Sequence, residues 1–245
     1  MFVAGVRSFL QAGLDWCYPP ACLVCGEARG EESAPFCAAC GNELSAPRAA
    51  CLGCGVPLGL GLRPDNDCAL CRGEGFRFAR TWALGEYDGR VRLAVHRAKQ
   101  AGSDALGHAL AEILWQRYQA DWQIQTPELV LPIPFAMGSL LWRRHSSAWI
   151  LAERLAERLG RSCPRGVLVK PFFTPRQTGR SRTVRKQQQR GAFQVWRPKA
   201  VQDKAVLLVD DVLTTGGTCQ SATRALLAAG AARVDVAVVA RATGR

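Results

Sequence analysis

The chain changes its hydrophobic rhythm near residue 80. Beyond that point short, continuous apolar runs alternate with stretches whose apolar positions recur every three or four residues. Ala79 to Leu84, Leu129 to Ile133, Val167 to Val169, Ala205 to Val209 and Val234 to Ala240 predict strands; the first enters a turn at Tyr87, Asp88 and Gly89. Val91, Val95 and Ala98 predict one helix. Leu106, Leu110 and Leu114 predict a second, with Ser103 placed to cap it. A loop at Pro134 to Gly138 leads to a third, over Leu140 to Leu159 with Gly160 as its stop; a fourth covers Cys219 to Ala229 and ends at Gly230. Continuous apolar strands separated by helices imply an α/β domain, a parallel sheet with helices on both faces. Ligands of such sheets sit at the carboxyl ends of the strands.

Before residue 80 the pattern is different. Phe2, Val6, Phe9 and Leu10 fall at helical spacing ahead of Pro19 and Pro20 and predict an amphipathic helix within residues 1–20, docked on its own protein. Asp15 and Trp16 stand where a secretory signal would carry small cleavage-site residues, so this segment is expected to be retained. No run approaches the roughly 20 apolar residues of a membrane span. The expected location is cytoplasmic, with any approach to the inner face of the membrane made through partners. The boundaries read from these changes are a helix at 1–20, a cysteine-rich segment at 21–78 and the α/β domain at 79–245.

Eight cysteines form four CxxC pairs: Cys22/Cys25, Cys37/Cys40, Cys51/Cys54 and Cys68/Cys71. Two thiolates three residues apart on a tight turn grip one side of a tetrahedral zinc ion, and a second such turn closes the site. Gly26, Gly41 and Gly55 directly follow three of the pairs, where a positive φ would let the backbone wrap the metal. The missing secretory signal argues against disulfides, and the fourfold repetition against redox CxxC chemistry. Two structural zinc ions are expected in a double ribbon. Joining neighbouring pairs is the simplest arrangement; four pairs admit two others, and the spacing does not choose. Cys17, Cys163 and Cys219 lie outside the pairs and read as small buried apolar side chains.

Net charge is +12, unevenly placed: residues 1 to 80 hold 7 Lys/Arg against 8 Asp/Glu, whereas Arg161 to Lys199 holds 11 Lys/Arg and no acid. Such a block expects anions. The residues that would shape an anion site lie just beyond it, in Val206 to Thr218, VLLVDDVLTTGGT. Asp210 and Asp211 are predicted to end a buried strand, where paired carboxylates accept hydrogen bonds from vicinal ribose hydroxyls. Thr214, Thr215, Gly216, Gly217 and Thr218 turn the chain into a helix, with backbone amides, hydroxyls and the helix start all favouring a 5-phosphate. The order of residues is not that of an ATP-binding GxxxxGK(S/T) loop.

This thirteen-residue run resembles the phosphoribosyl pyrophosphate signature of type I phosphoribosyltransferases at every position. Around it the chain resembles the ComF/GntX family, in which a cysteine-rich zinc ribbon precedes a phosphoribosyltransferase-like domain. Further family-like features are Tyr87, Asp88 and Gly89 followed by Lys99, LPIP at Leu131 to Pro134, Gln177 before an Arg-rich run, and RGAF at Arg190 to Phe193. One stretch departs. Where the family usually carries an RGFNQ-like run, this chain reads Arg143, Arg144, His145, Ser146 and Ser147, and Gln188 stands where Asn is usual.

The resemblance implies magnesium bridging the pyrophosphate and ribose hydroxyls of bound phosphoribosyl pyrophosphate. Lys99, Arg176, Gln177, Arg180, Arg182 and Arg185 would face the pyrophosphate, and Asp210 or Asp211 would stabilise a cation-like anomeric carbon. Three functions fit. The first, implied by the family, is a protein that binds phosphoribosyl pyrophosphate or a nucleotide and works in competence, DNA uptake or DNA utilisation. In that role Phe172, Phe173 and Trp196 would join the basic stretch in tracking single-stranded DNA, alongside DNA-uptake proteins. The second is an active phosphoribosyltransferase on a nucleobase-like acceptor, and the third an interaction module without the ligand.

Overall fold

The computed structural model describes residues 20–29, 34–58, 68–135, 146–171 and 192–243. Residues 1–19 of the predicted helix at 1–20, with Cys17, and the stretches 136–145 and 172–191 lie outside the described residues.

Four strands form one parallel sheet: β1 (Thr81–Glu86), β2 (Leu129–Pro132), β5 (Ala205–Leu213) and β6 (Arg233–Arg241), ordered β1-β6-β5-β2. The central pair is nearly dry. Successive side chains point to opposite faces, so each strand feeds two cores. Leu207, Val209, Ala237 and Val239 join the core on one face, whereas Val206, Leu208, Val236 and Val238 join that on the other.

The first face is covered by α3 (Gly89–Ala98), α4 (Asp104–Gln125) and α5 (Ser147–Leu159), whose buried Val91, Val95, Leu106, Leu110, Leu114, Leu151 and Leu155 follow the helical period. The second is covered by α6 (Gly217–Ala228) and by the short antiparallel pair β3 (Leu168–Val169) and β4 (Gln194–Val195). This is the expected α/β architecture, a phosphoribosyltransferase-like parallel sheet with helices on both faces.

Two local expectations need correction. Strand β5 does not stop at Val209: it runs to Leu213, because β6 continues beside it and pairs Val212 with Ala240 and Leu213 with Arg241. Asp210 and Asp211 therefore lie within the paired strand rather than at its end. Ser103 occupies the position before α4, but its hydroxyl donates back to the carbonyls of Ala98 (2.8 Å) and Gln100 (2.6 Å) and makes no cap bond to α4.

The cysteine-rich segment contributes two short helices, α1 (Ala38–Ser45) and α2 (Ala69–Glu74). It is not a detached appendage. Cys22, Val24, Phe36, Cys40 and Leu44 share the first core with α3, α4 and the sheet, and Arg117 of α4 donates to the carbonyls of Leu44 (2.6 Å) and Leu84.

Candidate functional site

The eight paired cysteines gather into two groups, Cys22/Cys25/Cys37/Cys40 and Cys51/Cys54/Cys68/Cys71, each with its sulfurs within 4.8 Å of one another. Neighbouring pairs are thus joined, the choice the spacing left open. Around a tetrahedral zinc with Zn–S near 2.3 Å, sulfurs lie roughly 3.8 Å apart. The separations Cys25–Cys37 (3.7 Å), Cys51–Cys71 (3.6 Å) and Cys54–Cys68 (3.4 Å) suit that cage. Two four-thiolate centres with every position filled by protein fit two structural zinc ions.

The two halves of each centre are built differently. The first pair sits on a knuckle closed by an antiparallel bridge, Ala21 to Ala28 or Ala50 to Pro57, and wrapped by a glycine amide: Gly26 N–H to Cys22 O (2.9 Å), Gly55 N–H to Cys51 O (2.8 Å). These glycines have φ of 80° and 68°, the left-handed backbone that side chains resist. The second pair opens a helix, with Cys37 and Cys68 in the cap positions of α1 and α2. Gly41 consequently lies inside α1 with ordinary helical backbone, which corrects the positive φ expected of it.

The carboxylate pair stands near the carboxyl end of β5. Asp211 is buried. Its Oδ2 accepts from Ser147 Oγ at 2.9 Å and faces Lys99 Nζ at 3.2 Å. Asp210 is half-buried and accepts the Asp211 amide at 2.9 Å. Burial pushes the Asp210 carboxyl up to about 7, helped by the adjacent Asp211 charge and opposed by the Asp211 amide, Lys99 and Lys170. The two acids are therefore unlike: one tied down by a serine and a lysine, the other close to half-protonated at neutral pH.

Directly after Leu213 the strand gives way to a loop whose Thr214 and Thr215 are exposed. Gly216, at φ 78°, caps α6; a Cβ there would sit 2.6 Å from the Phe76 ring, so the close approach of Phe76 as well as the backbone demands glycine. Gly217 N–H bonds Thr215 Oγ1 at 3.4 Å. A left-handed residue, two exposed hydroxyls and the start of a twelve-residue helix are groups suited to a phosphate, with the acids just before them in the chain suited to polyol hydroxyls.

Lys99, predicted on the motif alone, is brought to the acid pair from just beyond the end of α3. Arg176, Gln177, Arg180, Arg182, Arg185, Gln188 and Arg190 lie outside the described residues, as do His145, Phe172 and Phe173. Trp196 is 56% exposed beside exposed Arg197 and Lys199. Cys219 is buried behind the acids, and burial pushes the Cys163 thiol up to about 12, consistent with inert side chains. Sequence reading missed Ser147, whose only signal was its place in the run that departs from the family pattern. It also missed Lys170, Phe76 and Arg241, which reach the site from parts of the chain with no motif.

A phosphoribosyl transferase domain model matches residues 145–245, and a double zinc ribbon domain model matches residues 13–73. The chain is 27% identical over 222 residues to the DNA utilization protein YhgH of Salmonella typhi, covering 89% of this chain and 95% of that protein. It is 26% identical over 216 residues to competence protein F of Haemophilus influenzae, covering 86% of each. Among solved structures, a hypoxanthine phosphoribosyltransferase from Staphylococcus aureus aligns over 55% of this chain and 62% of its own, with 17% identity and a TM-score of 0.35.

Proposed function

Because the chain belongs to the ComF-like family, joining a double zinc ribbon to a phosphoribosyltransferase domain, we propose that it binds a ribose 5-phosphate group, as phosphoribosyl pyrophosphate or a nucleotide, and serves in DNA uptake or utilisation. The observation that carries the ligand is the juxtaposition on β5 and its loop: two carboxylates, then TTGGT opening α6, with Lys99 reaching in from another element. Carboxylates take the ribose hydroxyls, the loop takes the 5-phosphate, and Lys99 lies where a second phosphate group would need a cation. Magnesium would supply further neutralisation of a pyrophosphate, with Asp210 as the acid less committed to protein partners.

Calorimetric titration with phosphoribosyl pyrophosphate and magnesium tests this reading directly. Saturable binding that falls at least tenfold in Asp210→Asn is expected, since a carboxylate acceptor to charged or hydroxyl donors contributes about 1.5–3 kcal/mol. Absence of binding and of thermal stabilisation would leave the interaction-module reading instead. Pyrophosphate release on adding nucleobases would identify a transferase.

The DNA role draws on the relatives' names and on charge. Arg161, Arg165, Arg197 and Lys199 are exposed, and Trp196 offers a ring for base stacking. Single-stranded DNA binding should weaken steeply with salt, by a log–log slope set by the number of phosphates neutralised. Binding indifferent to ionic strength would contradict it.

A further inference from the structure

Among the described residues, Arg241 is the one buried cation between the Cys51/Cys54 knuckle and the phosphate-binding loop. Arg241, at the end of β6, is 2% exposed. Its Nε donates to the carbonyl of Cys54 at 2.8 Å, and its Nη1 to those of Leu213 (2.8 Å), Thr214 and Ala242. One side of the guanidinium therefore holds the peptide of a thiolate-bearing knuckle. The other holds the last residue of β5 and the first residue of TTGGT.

Burying a guanidinium is costly unless carbonyls and negative charge surround it. Four thiolates around one zinc ion leave the centre with two net negative charges. The filled centre is thus the counter-charge that suits Arg241. Only an arginine fork spans two peptide segments in this way; a lysine ammonium has no second arm.

Two more ties run the same course from the residues that follow Cys71. Gln220 of α6 donates to Gly75 O at 3.1 Å and accepts Arg77 N–H at 2.6 Å, and the Phe76 ring covers Gly216. These ties land on Gly216 and Gln220, and those of Arg241 on Leu213 and Thr214, so both ends of the loop are held.

We propose that Arg241 is a positioning residue that registers the phosphate-binding loop against the second zinc centre, so that metal at Cys51, Cys54, Cys68 and Cys71 and a phosphate ligand on Thr214 to Thr218 stabilise one another. This rests on the reading of that loop as a 5-phosphate site. Loss of the metal releases the knuckle carbonyl, then the guanidinium, then Thr214. By reciprocity, ligand on the loop raises the affinity for that metal.

The test uses the full-length, zinc-loaded protein. Zinc partitioning at equilibrium between the protein and a chromophoric chelator is measured with and without saturating ribose 5-phosphate, whose binding is measured separately by calorimetry. In the unaltered protein the ligand should raise the affinity for one of the two ions by about fivefold or more, the lower end of ordinary coupling, and leave the other unchanged. Arg241→Lys should keep both ions at rest, bind ribose 5-phosphate about tenfold more weakly and lose the gain in zinc affinity. Equal zinc affinities with and without bound ribose 5-phosphate would overturn the proposal while leaving the ligand assignment intact. No binding of ribose 5-phosphate or phosphoribosyl pyrophosphate to the unaltered protein would overturn both. Because the first comparison needs no variant, a misfolded Arg241→Lys leaves the test standing.

Discussion

Two adjacent aspartates on one strand differ in character because their surroundings differ. Asp211 has Ser147 and Lys99 on one oxygen, while Asp210 is raised to about 7 by burial and by its neighbour's charge. A folded pKa above the unfolded value near 4 means that the folded state binds the extra proton between those limits. Asp210 then stabilises least where it is ionised, and stability falls as pH climbs from about 4 through about 7. Asp210→Asn should accordingly raise the melting temperature of the ligand-free protein at pH 8, by an amount corresponding to about 1–3 kcal/mol, and raise it by distinctly less at pH 5, where only the first part of that cost is present. Thermal melts at the two pH values check this, and a drop at pH 8 would contradict it. At this scale the sequence is readable where the chemistry is contiguous: Asp210, Asp211 and TTGGT form one run. Ser147, Lys170, Phe76 and Arg241 are unreadable because folding alone brings them to that run.

Elements were legible in kind and less so in extent. The strands announce themselves by unbroken apolar runs, since both of their faces are covered. The end of β5 is not written that way, because its last turn of pairing depends on β6 continuing to Arg241. Likewise Ser103 has the composition of a cap and spends its hydroxyl on the preceding helix, a choice settled by how closely α3 approaches. The loop opening α6 yields a sharper prediction. Gly216→Ala places a methyl group 2.6 Å from Phe76 on a backbone at φ 78° and should cost about 2–4 kcal/mol in chemical denaturation. Adding Phe76→Leu relieves the clash but not the backbone strain, so it should restore part of that loss. Full restoration would show that the backbone geometry matters little.

Across the whole molecule, the cysteine pairs foretold two centres but not their ligand grouping or their integration with the sheet. Arg90 of α3 reaches Cys40 Sγ at 3.4 Å and Glu43, and Arg97 of the same helix donates to Cys25 O at 3.2 Å. The first ribbon thus grips the helix that delivers Lys99, while the second grips the loop. Metal analysis should find two zinc ions per chain. Chelation should lower the melting temperature of the α/β domain by 10 °C or more rather than melt a separate small unit, as Leu44, Phe36 and Val24 share its core. Two independent calorimetric transitions after chelation would refute this. The consequence for recombining relatives follows from those grips. A chimera that exchanges the cysteine-rich portion at the apparent domain seam would separate Cys40 from Arg90, Cys25 from Arg97 and Cys54 from Arg241. The segment that can be inherited or grafted intact is therefore discontinuous in the gene, and successful hybrids should be those that carry the three arginines along with the cysteines.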